Sequence, residues 1–128
     1  MKGNECRADC YCNNLKHLDN LPKGLETLVC SSNKLTSLKG SPKEVGGHFI
    51  CYNNKLTSFE GGPTYVGRDF NCSNNPLTSL KGIPKYIGGN FYTNIKINGR
   101  EITKEDIIAA GCDLKGEVIG EVIGDDAW

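Results

Sequence analysis

The stretch CSSNKLTSLKG at residues 30–40 returns as CYNNKLTSFEG at 51–61 and as CSNNPLTSLKG at 72–82. A unit recurring every 21 residues is too short to bury its own apolar side chains, so its copies must stack and share one core. Cys10, Cys30, Cys51 and Cys72 lie 20, 21 and 21 residues apart, and Thr93 takes the next slot. Three residues after each cysteine stands Asn13, Asn33, Asn54 or Asn75; five after stands Leu15, Leu35, Leu56 or Leu77; eight after stands Leu18, Leu38, Phe59 or Leu80. Two before stands Ala8, Leu28, Phe49 or Phe70, and Phe91 precedes Thr93 in the same way.

Each copy is expected to supply one short strand to a parallel sheet, with neighbouring strands about 4.8 Å apart. Side chains alternate along a strand, so Phe49 and Cys51 point inward while Ile50 and Tyr52 point outward. Beyond the strand the chain turns inside the core and leaves backbone groups buried. The asparagine amide has the donors and the acceptor to satisfy them, and Asn54→Ala is expected to be more damaging than Asn13→Ala. Gly40, Pro42, Gly46, Gly47, Gly61, Gly62, Pro63, Gly67, Gly82, Pro84, Gly88 and Gly89 make the return path one of extended chain and short turns.

The pattern L-x-C-x-x-N-x-L-x-x-L resembles the leucine-rich repeat. LPKGLETLVCSSNKLTSL, residues 21–38, is similar to the short subtype of bacterial secreted effectors; PKEVGGHFICYNNKLTS and PKYIGGNFYTN resemble repeats of bacterial and viral genomes. The resemblance covers roughly residues 6–97. It implies a mostly β repeat solenoid that binds proteins on its concave strand face, with a host-directed or defence-countering role by association.

The seven cysteines read first as core. Free cysteine behaves as a small buried hydrophobe, and in-register thiols on parallel strands stand too far apart for a disulfide. Cys6, Cys10 and Cys12 superficially resemble the amino-terminal cap of extracellular leucine-rich repeats, without its further downstream cysteine. A zinc site drawing on Cys6, Cys12 and Cys112 would need another ligand, since such sites usually show two spaced pairs.

After Phe91 the repeat decays. Asn98-Gly99 between β-prone residues predicts a two-residue hairpin turn. Thr103 before Lys104-Glu105-Asp106 predicts a helix over about 104–110, ended by Gly111. The chain thus divides into a solenoid over 1–97, a hairpin-and-helix cap over 98–111, and an acidic tail or cap extension over 112–128. Residues 16–100 carry eleven Lys/Arg against five Asp/Glu, and 101–128 carry two against eight. No apolar run approaches the ~20 residues that cross a membrane, and MKGNECRADC has no apolar signal core; a cytoplasmic location is expected.

No enzyme motif and no cofactor site emerge. His48 and Asp69 share one outward column, so their side chains can meet; a cysteine nucleophile would have to be an exposed one, Cys12 or Cys112. The concave face offers Tyr11, Val29, Ile50, Tyr52 and Tyr92 beside Asn71, His48 and Asp69. Aromatic anchors among small polar residues are the usual make-up of a protein-binding patch, although β-propensity alone also favours Tyr, Val and Ile. The leading expectation is a non-enzymatic protein-binding module with a protein partner and no membrane association, and with self-association through the ends left open. Polyanion or nucleic-acid binding through Lys34, Lys39, Lys43, Lys55, Arg68, Lys81 and Lys85 is the alternative, and a thiol-dependent enzyme the third.

Overall fold

The computed structural model describes residues 26–30 and 34–120. In chain order the strands are β1 (Leu28–Val29), β2 (Glu44–Val45), β3 (Phe49–Ile50), β4 (Tyr65–Val66), β5 (Phe70–Asn71), β6 (Tyr86–Ile87) and β7 (Phe91–Tyr92). A hairpin of β8 (Lys96–Ile97) and β9 (Arg100–Glu101), the helix α1 (Lys104–Ala109), β10 (Asp113–Leu114) and β11 (Val118–Ile119) complete the order. The protein is mostly β, with short parallel strands and little helix.

Each 21-residue copy supplies one strand to each of two parallel sheets. The first sheet runs β1-β3-β5-β7-β11 and the second β10-β6-β4-β2. The register equals the sequence period: Leu28 pairs with Phe49, Phe49 with Phe70 and Phe70 with Phe91. Hydrogen bonding continues past the two-residue strands, since Cys30, Cys51 and Cys72 donate their backbone N–H to Ile50, Asn71 and Tyr92.

The core lies between the sheets. Phe49, Phe70 and Phe91 enter from the first sheet and Val45, Val66, Ile87 and Leu114 from the second, with Leu35, Leu38, Leu56 and Phe59 between them. Phe49 and Phe70 stack at 5.1 Å between centroids, and Phe59 meets Phe70 edge-on at 5.6 Å. Burying a side chain of this size contributes about 1.5–3 kcal/mol, and a ring stacked on its copy adds a geometric preference. Cys30, Cys51 and Cys72 fill the gaps as fully buried thiols.

Two local devices set the turns. Asn53 and Asn74 adopt φ of 60° and 56°, the left-handed region that asparagine tolerates. They bring the next residue, Asn54 or Asn75, inside. Gly61 and Gly82 (φ 82° and 83°) occupy the third position of turns closed by Gly62 N–H to Phe59 and Ile83 N–H to Leu80, where a type II turn demands positive φ.

Beyond β7 the chain differs from the expected plan. Asn98 and Gly99, with φ of 54° and 79°, make the hairpin, and Thr103 caps the helix with a reciprocal Asp106 bond. The sheets do not end at this segment. After it, β10 pairs with β6 and β11 with β7, so both sheets gain a strand from within 112–128, the stretch left open between tail and cap extension. The hairpin and helix are an insertion inside the last unit, sending Ile102 and Ile107 into the shared core. The weaker similarity of DLKGEVI to YIGGNFY hides this continuation, because only Leu114, Val118 and the glycine Gly116, which falls on Gly89, keep the pattern.

Candidate interaction surface

The outer face of the first sheet is built from three columns that the 21-residue register lines up. Val29, Ile50, Asn71, Tyr92 and Ile119 form the central one. Thr27, His48, Asp69 and Asn90 precede them in the chain, and Tyr52, Ser73 and Asn94 follow. Tyr11 lies outside the described residues.

The preceding column is a ladder of side chains that accept backbone N–H groups from the next unit. Thr27 Oγ1 accepts from His48 N–H at 3.4 Å, His48 Nδ1 from Asp69 N–H at 3.2 Å, Asp69 Oδ1 from Asn90 N–H at 2.8 Å, and Asn90 Oδ1 from Glu117 N–H at 2.9 Å. An acceptor at Nδ1 requires the neutral imidazole with its proton on Nε2. His48 and Asp69 do meet, at 3.6 Å between Nδ1 and Oδ2, but their ring nitrogen and carboxylate are engaged with the backbone. Sequence reasoning missed this ladder because four different residue types perform one task. The common signal is an acceptor side chain just before each Leu or Phe.

The central surface is not open to water as expected. Val29, Ile50 and Tyr52 form an apolar cluster separate from the core, yet they are only 9%, 2% and 6% exposed, and Asn71 is fully buried. Alternation along a strand tells which side of the sheet a residue occupies and says nothing of what lies over that side. Tyr92, His48 and Asp69 are half-buried. Asn71 Oδ1 accepts from Ser73 N–H at 3.1 Å, while Asn71 Nδ2 and Ser73 Oγ have no hydrogen-bond partner among the described residues. Buried donors without acceptors are uncommon and costly.

The second sheet carries a surface that the reading of its residues as plain turns overlooked. Tyr65 and Tyr86 stack at 4.9 Å with nearly parallel rings, and Tyr65 is 40% exposed. A cross-strand aromatic pair of this kind stabilises the sheet.

The four thiols among the described residues are buried. Burial pushes Cys30 and Cys72 up to about 12, and Cys51, flanked by both, is raised well above its ordinary value by burial first and by its neighbouring thiols second. Cys112, expected to be an exposed thiol, is buried in the core, and burial followed by the Asp113 charge raises it to about 11. The cause is its position at the end of the insertion, where the chain turns back into the second sheet. Cys6 and Cys12 lie outside the described residues. Among the described residues no cluster of His, Cys, Asp and Glu could hold a metal ion, and no helix is long and apolar enough to cross a membrane.

Comparison of the chain with known protein families, curated proteins and solved structures finds no match.

Proposed function

We propose that the chain is a short leucine-rich-repeat solenoid that binds another protein through the outer face of its first sheet, without catalysis and without a cofactor. The observation that carries this reading is the second apolar cluster, Val29, Ile50 and Tyr52, built outside the core beside two donors, Asn71 Nδ2 and Ser73 Oγ, that lack acceptors. A surface meant only for water has no use for three large apolar side chains and two uncompensated donors. An extended partner segment supplies both an apolar cover and carbonyl acceptors.

Burial of Cys112, one of the two thiols expected to be exposed, argues against its serving as a nucleophile, since the thiolate is the reactive form. Of the seven basic side chains considered for a polyanion site, Lys81 is opposed by an acid, lying 3.7 Å from Glu60. A cytoplasmic setting, in a bacterium or an infected host cell, and a host-directed role accompany this proposal.

The test is affinity capture from host extract with the full chain as bait. Ile50→Asp and Tyr52→Asp, each checked for an intact fold by circular dichroism, are expected to lose the partner, whereas Lys43→Glu with Lys85→Glu keeps it. Equal recovery with folded Ile50→Asp and Tyr52→Asp chains rejects this face, and loss with the lysine pair alone favours the polyanion reading.

A further inference from the structure

The hairpin of β8 and β9 joins neither of the larger sheets. A two-stranded ribbon standing alone is marginally stable in water, so this turn opens locally while the rest of the molecule stays folded. Asn98 and Gly99 at its tip are both exposed, and a Cβ built on Gly99 would meet nothing within 4 Å. Among the described residues, no hydrogen bond holds the Asn98 side-chain amide or the Gly99 N–H. A carboxamide and an unhindered backbone N–H therefore stand side by side, neither of them engaged.

We propose that Asn98 is a site of spontaneous modification, at which the Gly99 backbone nitrogen attacks the Asn98 side-chain carbonyl and expels ammonia. The bond from Gly99 N to Cγ forms as the Cγ–Nδ2 bond breaks, and the proton of the Gly99 N–H leaves with the ammonia. The product is a cyclic imide. Solvent water then opens the ring at either of its carbonyls, breaking that carbon's bond to nitrogen. Opening at Cγ gives aspartate; opening at the main-chain carbonyl gives isoaspartate, whose backbone runs through Cβ and Cγ. Either product adds one negative charge, and no electron is transferred.

The other described asparagines lack this combination. The N–H groups that follow Asn54, Asn71, Asn90 and Asn94 donate to Leu35, Tyr92, Glu117 and Thr93. Asn75 precedes Pro76, which has no N–H. Asn53 and Asn74 precede another asparagine, whose side chain is held in the turn and crowds its own backbone nitrogen. Asn98 is the one asparagine of the sequence followed by glycine.

The two products differ in what they do to the fold. Aspartate, like asparagine, tolerates the φ of 54° at this position, so the hairpin survives. Isoaspartate lengthens a two-residue turn whose length fixes the register of its strands. Ile97 and Arg100 then no longer pair. Arg100 loses the placement from which it holds both carboxylate oxygens of Asp106.

The test holds the full chain at mildly alkaline pH, where the attacking nitrogen loses its proton more readily, and follows its tryptic peptides by mass spectrometry. Cleavage after Lys96 and Arg100 isolates residues 97–100. That peptide is expected to give way to two forms carrying an acid in place of the amide, isoaspartate the more abundant. Residues 86–96, with Asn90 and Asn94, should stay unmodified over the same time. Asn98→Gln, whose longer side chain closes the ring far more slowly, should suppress both products. An Asn98 that survives intact, or reacts no faster than Asn90 and Asn94, overturns the proposal. Asn98→Asp carries the new charge on an unaltered backbone and should melt close to the parent, whereas the isolated isoaspartate form should melt lower. Equal melting of the isoaspartate form and Asn98→Asp rejects the effect on the hairpin.

Discussion

The side-chain amide of Asn54 donates to the carbonyl of Cys30, 24 residues earlier in the chain, at 3.0 Å. The same nitrogen reaches the Cys51 carbonyl at 3.0 Å, and Oδ1 accepts from Leu35 N–H at 3.1 Å. One residue thereby satisfies groups from two successive units, and Asn75 repeats the arrangement with Cys51, Cys72 and Leu56. Asn54→Ala leaves the Leu35 N–H without its acceptor in the interior and takes one bond each from the Cys30 and Cys51 carbonyls, the latter keeping its bond from Asn75. The expected loss is about 2–4 kcal/mol in urea unfolding, at about 1–3 kcal/mol for each buried group left unsatisfied and partly relieved by relaxation. Asn75→Ala, at a less buried site, should lose less. Equal losses for the two would contradict a burial-dependent ladder.

Glycine positions offer a second test, because the second sheet brings backbones together where no side chain fits. A Cβ at Gly67 would be driven into the carbonyl oxygen of Gly46, with backbone rather than a flexible side chain in the way. Gly67→Ala should therefore lower stability by about 1–3 kcal/mol or more, the range for forced overpacking. Gly46→Ala is the matched control: the added Cβ meets only the end of the Glu26 side chain at 3.4 Å, so its melting temperature should stay within a few degrees of the parent.

Acid should weaken the insertion selectively. Arg100 holds both carboxylate oxygens of Asp106, at 2.8 and 2.9 Å, and Thr103 N–H adds a bond at 2.7 Å. The Arg100 hydrogen bonds first, then that of Thr103, keep the Asp106 carboxyl well below the usual range. A depressed folded value stabilises the protein at every pH above the unfolded carboxyl, about 3.9, and the contribution disappears as pH falls from there through the folded value. Asp106→Asn is thus expected to lower the melting temperature at pH 7 and to differ progressively less from the parent below about pH 4. High salt should shrink the neutral-pH difference, since the pair is exposed. A difference that grows on acidification would refute this account.

Thiol reactivity gives the fourth. Cys30 and Cys72, raised from 9.0 to about 12, carry about three orders of magnitude less thiolate than an ordinary cysteine at the same pH. Iodoacetamide at mildly alkaline pH, followed by peptide mapping, should leave Cys30, Cys51 and Cys72 unlabelled in the native chain and label them rapidly in urea. Fast native labelling of Cys51 would place it in solvent and contradict the thiol column.

Much of this was legible beforehand because translation by 21 residues is a property of the chain itself. The period aligns Phe49, Phe70 and Phe91, sends Cys51 inward, and sets Asn54 where the turn leaves carbonyls unpaired. The hairpin turn at Asn98-Gly99 and the cap at Thr103 were legible for a different reason: their backbone conformations depend on residues within reach of each other along the chain.

Tertiary structure alone decided the rest. A repeat defines neighbours one period apart, so it could not say that the sheets resume at Asp113 after an insertion of different length. It could not reveal the acceptor column either, since Thr27, His48, Asp69 and Asn90 are unlike as residues and alike only in offering a lone pair to the next backbone. Nor could it tell that Ile50 and Tyr52 are withdrawn from water. Alternation assigns a side chain to one side of a sheet, but its exposure depends on whatever else in the molecule comes to lie there, and no periodicity carries that information.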